Sequence, residues 1–241
     1  MKLYYALFLI PLWGLGQLSD KTDNIYKKLS MSDKVESSSV GGYAGEESSV
    51  YKLYIELGEN ATDKEVEYIA FNGNPVARTY ASYLVFSRKL PFLNKLLTHH
   101  LKNNEEIEVI EGCIVSHTFV ADELYKHIFW GKEQLKRVEE NIKYRDSIKA
   151  LKNPDPVLLA SANQRNMKRT RWTEAEIDSV LVTMEKSVLD DPSSSKSLVE
   201  YIAEFNYYTD RKHPEYADRL AYFEQKYHSE MIKKYLDFCR Q

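Results

Sequence analysis

From Val50 to Phe238 the apolar residues of this chain recur every three to four positions, and no other feature limits its fold so strongly. A period near 3.6 places apolar side chains on one stripe of an α-helix, whereas a strand with one buried face needs strict alternation. The low glycine count, 9 in 241 residues, fits helices better than a turn-rich β fold. The pattern predicts an all-α chain of antiparallel helical hairpins, followed by a C-terminal helical lobe.

Local signals divide the pattern. Val50, Leu53, Tyr54 and Leu57 form a first stripe. Thr62-Asp63-Lys64-Glu65 then reads as a capping box, in which the threonine hydroxyl and the glutamate carboxylate each accept from the other residue's backbone N–H. Asn72-Gly73-Asn74-Pro75 marks a stop and a restart, with Pro75 suited to a first helical position. Val76, Tyr80, Ala81, Leu84 and Val85 carry the next stripe. A charged helix is expected over 132–151, and Asn153-Pro154-Asp155-Pro156 breaks it. A second capping box, Thr173 to Glu176, follows Trp172, which can staple against Ile177. Further helices are expected over Lys196–Tyr207 and, unbroken, from Pro214 to Phe238.

The run Asn74-Pro75-Val76-Ala77-Arg78-Thr79-Tyr80-Ala81 resembles the second helix of a HEAT repeat, a two-helix unit that stacks into a solenoid. The resemblance extends over about 51–129. It implies a second helix pair, with Pro91–Leu101 as one member and a further helix starting after Asn103-Asn104-Glu105-Glu106-Ile107. It also implies that Arg78 is chiefly structural, near the inter-helix turn, and able to touch a ligand on the concave face. No arginine repeats where Arg78 would recur, and Gly112-Cys113 interrupts the small-residue spacing.

At the other end of the chain, Met1-Lys2 precedes an apolar run that closes on Gly14-Leu15-Gly16. A single basic residue, a short apolar stretch and small residues two apart are the layout of a secretory signal peptide. The expected organisation is a signal peptide over 1–16, a polar flexible segment over 17–49 with one short helix around Asp23–Leu29, a HEAT-like region over 50–152 and a C-terminal helical region over 153–241. The expected location is therefore exported, periplasmic or secreted, in a bacterium, with no transmembrane segment after cleavage. The formal net charge of −3 offers little to nucleic acid or an anionic membrane. Gly41-Gly42-x-x-Gly45 lacks the Lys-Ser/Thr ending of a phosphate loop and reads as a turn.

Chemistry-bearing residues are scattered. The two cysteines, Cys113 and Cys239, could bridge in an oxidising compartment or stay as buried thiols. Cys113 and His117 would lie one helical turn apart, but a zinc site needs three or four ligands and no third is specified nearby. No nucleophile elbow or His-Glu-x-x-His occurs, so no metal, cofactor or catalytic residue is assigned. Arg171-Trp172-Thr173-Glu174 has the look of a Myb-type helix start, but that family's further tryptophans are missing.

Tyrosine is abundant, at 18 residues. Tyr51, Tyr54, Tyr68, Tyr80 and Tyr83, with a second set from Tyr201 to Tyr235, lie on or beside the apolar stripes. They can pack between helices or line an aromatic groove for peptide or glycan. The expectation is an exported binding or scaffold protein with a protein or peptide partner in the cell envelope, and Arg78, Tyr80 and His117 as candidate contacts. The alternative is an exported, hydrolase-like enzyme whose site is assembled from distant residues.

Overall fold

The computed structural model describes residues 18–41, 45–165 and 170–241, so the expected signal peptide and the Lys168-Arg169 pair lie outside the described residues. Helices dominate what is described. In chain order the elements are α1 (Asp20–Leu29), β1 (Lys34–Val40), β2 (Glu46–Glu47), α2 (Ser49–Asn60), α3 (Asp63–Asn72), α4 (Pro75–Ser87) and α5 (Leu93–Lys102). A hairpin of β3 (Glu106–Gly112) and β4 (Ile114–Phe119) follows. After it come α6 (Val120–Lys149), α7 (Pro156–Gln164), α8 (Glu174–Leu189) and α9 (Lys196–Tyr208). A 3₁₀ turn (Pro214–Tyr216), α10 (Ala217–Tyr227) and α11 (Glu230–Arg240) complete the chain.

The cap chemistry operates as the residues predict. Thr62 and Thr173 each accept from the N–H of the glutamate three residues on, and Glu65 and Glu176 reach back to the cap N–H. Glu65 also accepts from the N–H and hydroxyl of Ser19, both at 2.7 Å, which ties the start of α1 to the start of α3. Asn74 accepts from Ala77 N–H at 2.9 Å and Pro75 occupies the first turn of α4. Trp172 is buried with Ile177 in the same core, and its indole N–H donates to the Phe86 carbonyl at 2.7 Å.

Helix α4 runs through the middle of the molecule. Ten of its residues, among them Arg78, Tyr80 and Ser82, are buried, the signature of a helix packed on several sides. It touches α3, α5 and α6, with the sheet and α2 on another side. The apolar core that surrounds it is continuous from Ile25 to Cys239, so the two expected helical regions share one interior.

Four sequence expectations are corrected. First, the chain is not all-α: β2-β1-β3-β4 form a mixed sheet, with β1 parallel to β3 and the outer pairs antiparallel. The helix expected after Asn103-Asn104 is instead the β3–β4 hairpin. Ile107 and Val109 alternate with Glu106 and Glu108, a period of two, and Gly112 takes the positive φ of +62° at the turn. Second, the short helix expected around Asp23–Leu29 is present as α1, but the segment is no tether: it also holds β1, and Ile25, Leu29 and Val35 enter the core. Third, the long C-terminal helix breaks at His228, which adopts a left-handed conformation before Ser229 caps α11. The charged helix also starts earlier than expected, at Val120, because its first turns are apolar and buried.

Candidate functional site

One cleft gathers the chemistry of the described residues. Its walls are three helix faces and the sheet. On α6, Glu123, His127, Trp130, Gly131 and Gln134 recur at helical spacing and face the same way. Helix α4 contributes Tyr80, Tyr83, Phe86 and Ser87, and α2 contributes Tyr51 and Tyr54. Strands β1 and β3 close the far side with Val35, Glu36, Val109 and Glu111. The cleft comprises a narrow acidic chamber of about 320 Å³, an inner recess of about 180 Å³ and a wide mouth of about 860 Å³, all bordered by His127. That range covers the size of small-molecule and peptide-side-chain pockets.

An aromatic ladder forms the floor. Tyr51 and Tyr54 lie 5.3 Å apart between ring centroids, Tyr54 stacks on Tyr80 at 5.1 Å, and Tyr83 stacks on His127 at 4.0 Å. Phe86 meets His127 edge-on at 5.7 Å and stacks on Trp172 at 5.2 Å. Tyr80 is fixed rather than free: its hydroxyl donates to the Glu36 carbonyl at 2.9 Å and accepts from the Glu36 N–H at 2.8 Å, clamping α4 to β1.

Electrostatics at the narrow end are settled by a few contacts. The Glu123 carboxylate accepts from Lys126 at 2.6 Å and from the Tyr83 hydroxyl at 3.1 Å. Burial opposes the charge on Lys126, but Glu123 outweighs it and raises the ammonium above its ordinary value. Burial lowers His127 to about 4, so its imidazole is neutral at pH 7. Burial likewise pushes the Tyr54 hydroxyl up to about 12 and raises Tyr83, so both remain protonated donors. Among the described residues, neither His127 nitrogen, the Tyr54 hydroxyl nor the Glu111 carboxylate has a hydrogen-bond partner. The half-buried His127 and Tyr54 groups are ones a ligand can satisfy, whereas Glu111 is exposed and meets water at the rim.

The expected contact residues separate. Tyr80 borders the cleft. Arg78 lies elsewhere on α4, 5% exposed, paired with Glu105. His117 is on the outer strand β4, 3.7 Å from Glu106 and open to solvent. Cys113 sits on the exposed β3–β4 turn and His117 four residues along the strand direction, so the helical adjacency expected of them does not arise. An extended chain spaces them by about 13 Å. Cys113 and the buried Cys239 are both free thiols. No group of three or more His, Cys, Asp or Glu able to hold a metal occurs among the described residues.

One arrangement mimics a nucleophile and base. Ser82 Oγ lies 2.9 Å from His100 Nε2, both fully buried. The serine hydroxyl already donates to the Arg78 carbonyl at 2.7 Å, so the imidazole must be the donor at Nε2 and cannot take the serine proton. Burial lowers His100 to about 3, which keeps the ring neutral. The pair is structural.

Reasoning from the sequence placed Tyr51, Tyr54, Tyr80 and Tyr83 as possible groove residues. It missed Glu111, Glu123, His127 and Trp130. For the three on α6 a signal existed, their common helical face. For Glu111 the only signal was the alternation of Ile107 and Val109 with Glu106 and Glu108, which was read as a helix start.

No protein-family model, curated protein or solved structure matches the chain.

Proposed function

We propose that this chain is a non-enzymatic binding protein that holds an extended peptide segment of a partner in the aromatic cleft. The observation that carries the reading is the ladder Tyr51–Tyr54–Tyr80–Tyr83–His127 opening onto a wide mouth, with unpaired acceptors and donors along it. Half-buried Tyr51, Tyr54, Tyr83 and His127 present aromatic surface at low entropic cost, held in place by the buried Tyr80, and the isolated polar groups supply orientation. Two lining serines support the same reading: Ser37 and Ser87 donate their hydroxyls to the carbonyls of Ser39 and Leu84, not to the His127 imidazole.

Export belongs to the proposal and rests on the apolar layout of residues 3–16; the partner is then a protein of the bacterial cell envelope. We further propose α3–α4 as a HEAT-like unit, supported by its capping box and Asn74-Pro75 turn, with Arg78 holding Glu105 behind the cleft.

The test is selection from a random dodecapeptide library, with binding of the recovered peptides measured by calorimetry. Gln134→Trp, an exposed substitution at the mouth, serves as a blocked form. Peptides that bind the native protein and lose affinity for the blocked form support the reading. Peptides bound equally by both place the interaction elsewhere and refute it.

A further inference from the structure

We infer that the narrow end of the cleft takes a basic side chain, lysine or arginine, of the bound segment. The inference rests on the peptide-binding reading above and deepens it.

Two carboxylates, Glu111 on β3 and Glu123 on α6, border this chamber with one ammonium, Lys126. Lys126 is already committed, paired with Glu123 at 2.6 Å and lying 5.1 Å over the Tyr201 ring. Glu111, exposed at the rim of the chamber, has no ion-pair partner among the described residues and leaves one negative charge uncompensated. Both carboxylates act on Tyr83 and on Lys126, so their fields overlap inside the chamber. An anionic group would meet like charge on two sides. A cation would find Glu111 unpaired and waiting as an acceptor.

The walls suit the stem of such a side chain as well as its head. Trp130 is 49% exposed, and its indole borders the same chamber as the stacked Tyr83–His127 pair. A cation over an aromatic face is attracted by the ring's quadrupole, and the methylenes of lysine or arginine pack against the same surface. His127 offers a neutral imidazole there and adds no opposing charge. At the mouth the lining changes to Ser38, Gln134, Thr170 and Arg171, polar groups that suit a peptide backbone leaving the chamber.

Two peptides discriminate the inference from its parent reading: acetyl-Gly-Tyr-Lys-Tyr-Gly-amide and the same peptide with norleucine replacing lysine. Each is titrated into the full chain by calorimetry, with Trp130 fluorescence as a second readout. The lysine peptide should bind about tenfold more tightly, as expected when a partly desolvated cation gains an aromatic face and a carboxylate. Glu111→Gln should remove most of that advantage, while Glu139→Gln, an exposed carboxylate on α6 beyond the cleft lining, should leave it unchanged. Equal binding of the two peptides overturns the inference and leaves the peptide cleft standing. An advantage lost equally in both variants marks nonspecific attraction to an acidic protein and also overturns it. If neither peptide binds while cellohexaose shifts the Trp130 signal, the occupant is a neutral glycan and both readings fall.

Discussion

Replacing Glu185 by leucine should destabilise the protein by roughly 4 kcal/mol, through hydrogen-bond donors stranded in the core. Glu185 is fully buried on α8. Its Oε1 accepts from the Tyr125 hydroxyl and from the Asn206 amide, each at 2.9 Å, and its Oε2 accepts from Tyr216 at 3.1 Å. One carboxylate thus joins α6, α8, α9 and the 3₁₀ turn. Leucine fills most of the space but accepts nothing. Asn206 keeps its bond to the Ile202 carbonyl, and Arg211 loses a 4.0 Å ion pair with Glu185 but keeps Asp178 at 3.3 Å, so the two tyrosine hydroxyls are the hydrogen-bond donors orphaned. Each buried orphan costs about 1–3 kcal/mol, and loss of charge-assisted bonding makes the upper half of that range the better guide. For a chain of this size the melting temperature should fall by roughly 8–16 °C. Urea unfolding at pH 7 measures the loss directly, provided the slope against denaturant is unchanged. The decisive control is the triple variant Glu185→Leu/Tyr125→Phe/Tyr216→Phe. Removing the stranded hydroxyls should restore at least half of the lost stability, because replacing both partners with apolar groups of the same shape is nearly neutral. A single variant within about 1 kcal/mol of the native protein, or a triple variant less stable than the single one, would refute the reasoning.

Four further variants have expected outcomes. Gly131→Ala adds a Cβ 2.6 Å from Phe86 Cε1, a ring held between Trp172 and His127, so overpacking of about 1–3 kcal/mol should outweigh the helical gain from alanine. The same variant should bind the selected peptides more weakly, as calorimetry would show, since Gly131 lines the mouth. Asp122 is raised to about 6 by burial, against hydrogen bonds from Ser197 and Ser195, so between pH 4 and 6 the folded state holds a proton that the unfolded state has lost. Stability should therefore fall as pH rises through that window, by on the order of 2–3 kcal/mol, and Asp122→Asn should abolish that component in pH-dependent urea melts. Thr173→Ala should cost about 1 kcal/mol, a single exposed cap, in thermal unfolding. Thr62→Ala should cost more, because Glu65 is buried and also holds Ser19; equal losses would show that the tie to α1 contributes nothing.

Much of the helical framework was readable before any coordinates, and for a local reason. A helix is closed by bonds four residues apart, and its ends by side chains three residues apart, so Thr62–Glu65, Asn74-Pro75 and Thr173–Glu176 carry their own instructions. The β3–β4 hairpin was also local, written in the alternation of Ile107 and Val109 with Glu106 and Glu108, but the surrounding helical period overrode it. Strand β1 had no comparable signal. Lys34–Val40 is mostly serine and charge, and it becomes a strand because β3 lies beside it in parallel, across some seventy residues of intervening chain.

The candidate site divides along the same line. The sequence by itself determined that Tyr51 and Tyr54, and Tyr80 and Tyr83, each share a helix face, because residues three or four apart on a helix must do so; Glu123, His127 and Trp130 have the same spacing, but it tells only once α6 is known to start at Val120. Only the tertiary structure decided that the three faces meet, that β3 brings Glu111 to them, and that Arg78 and His117 point elsewhere. That convergence depends on how α4 and α6 pack against one another and against a sheet whose central pairing is non-local. No short-range rule contains those distances.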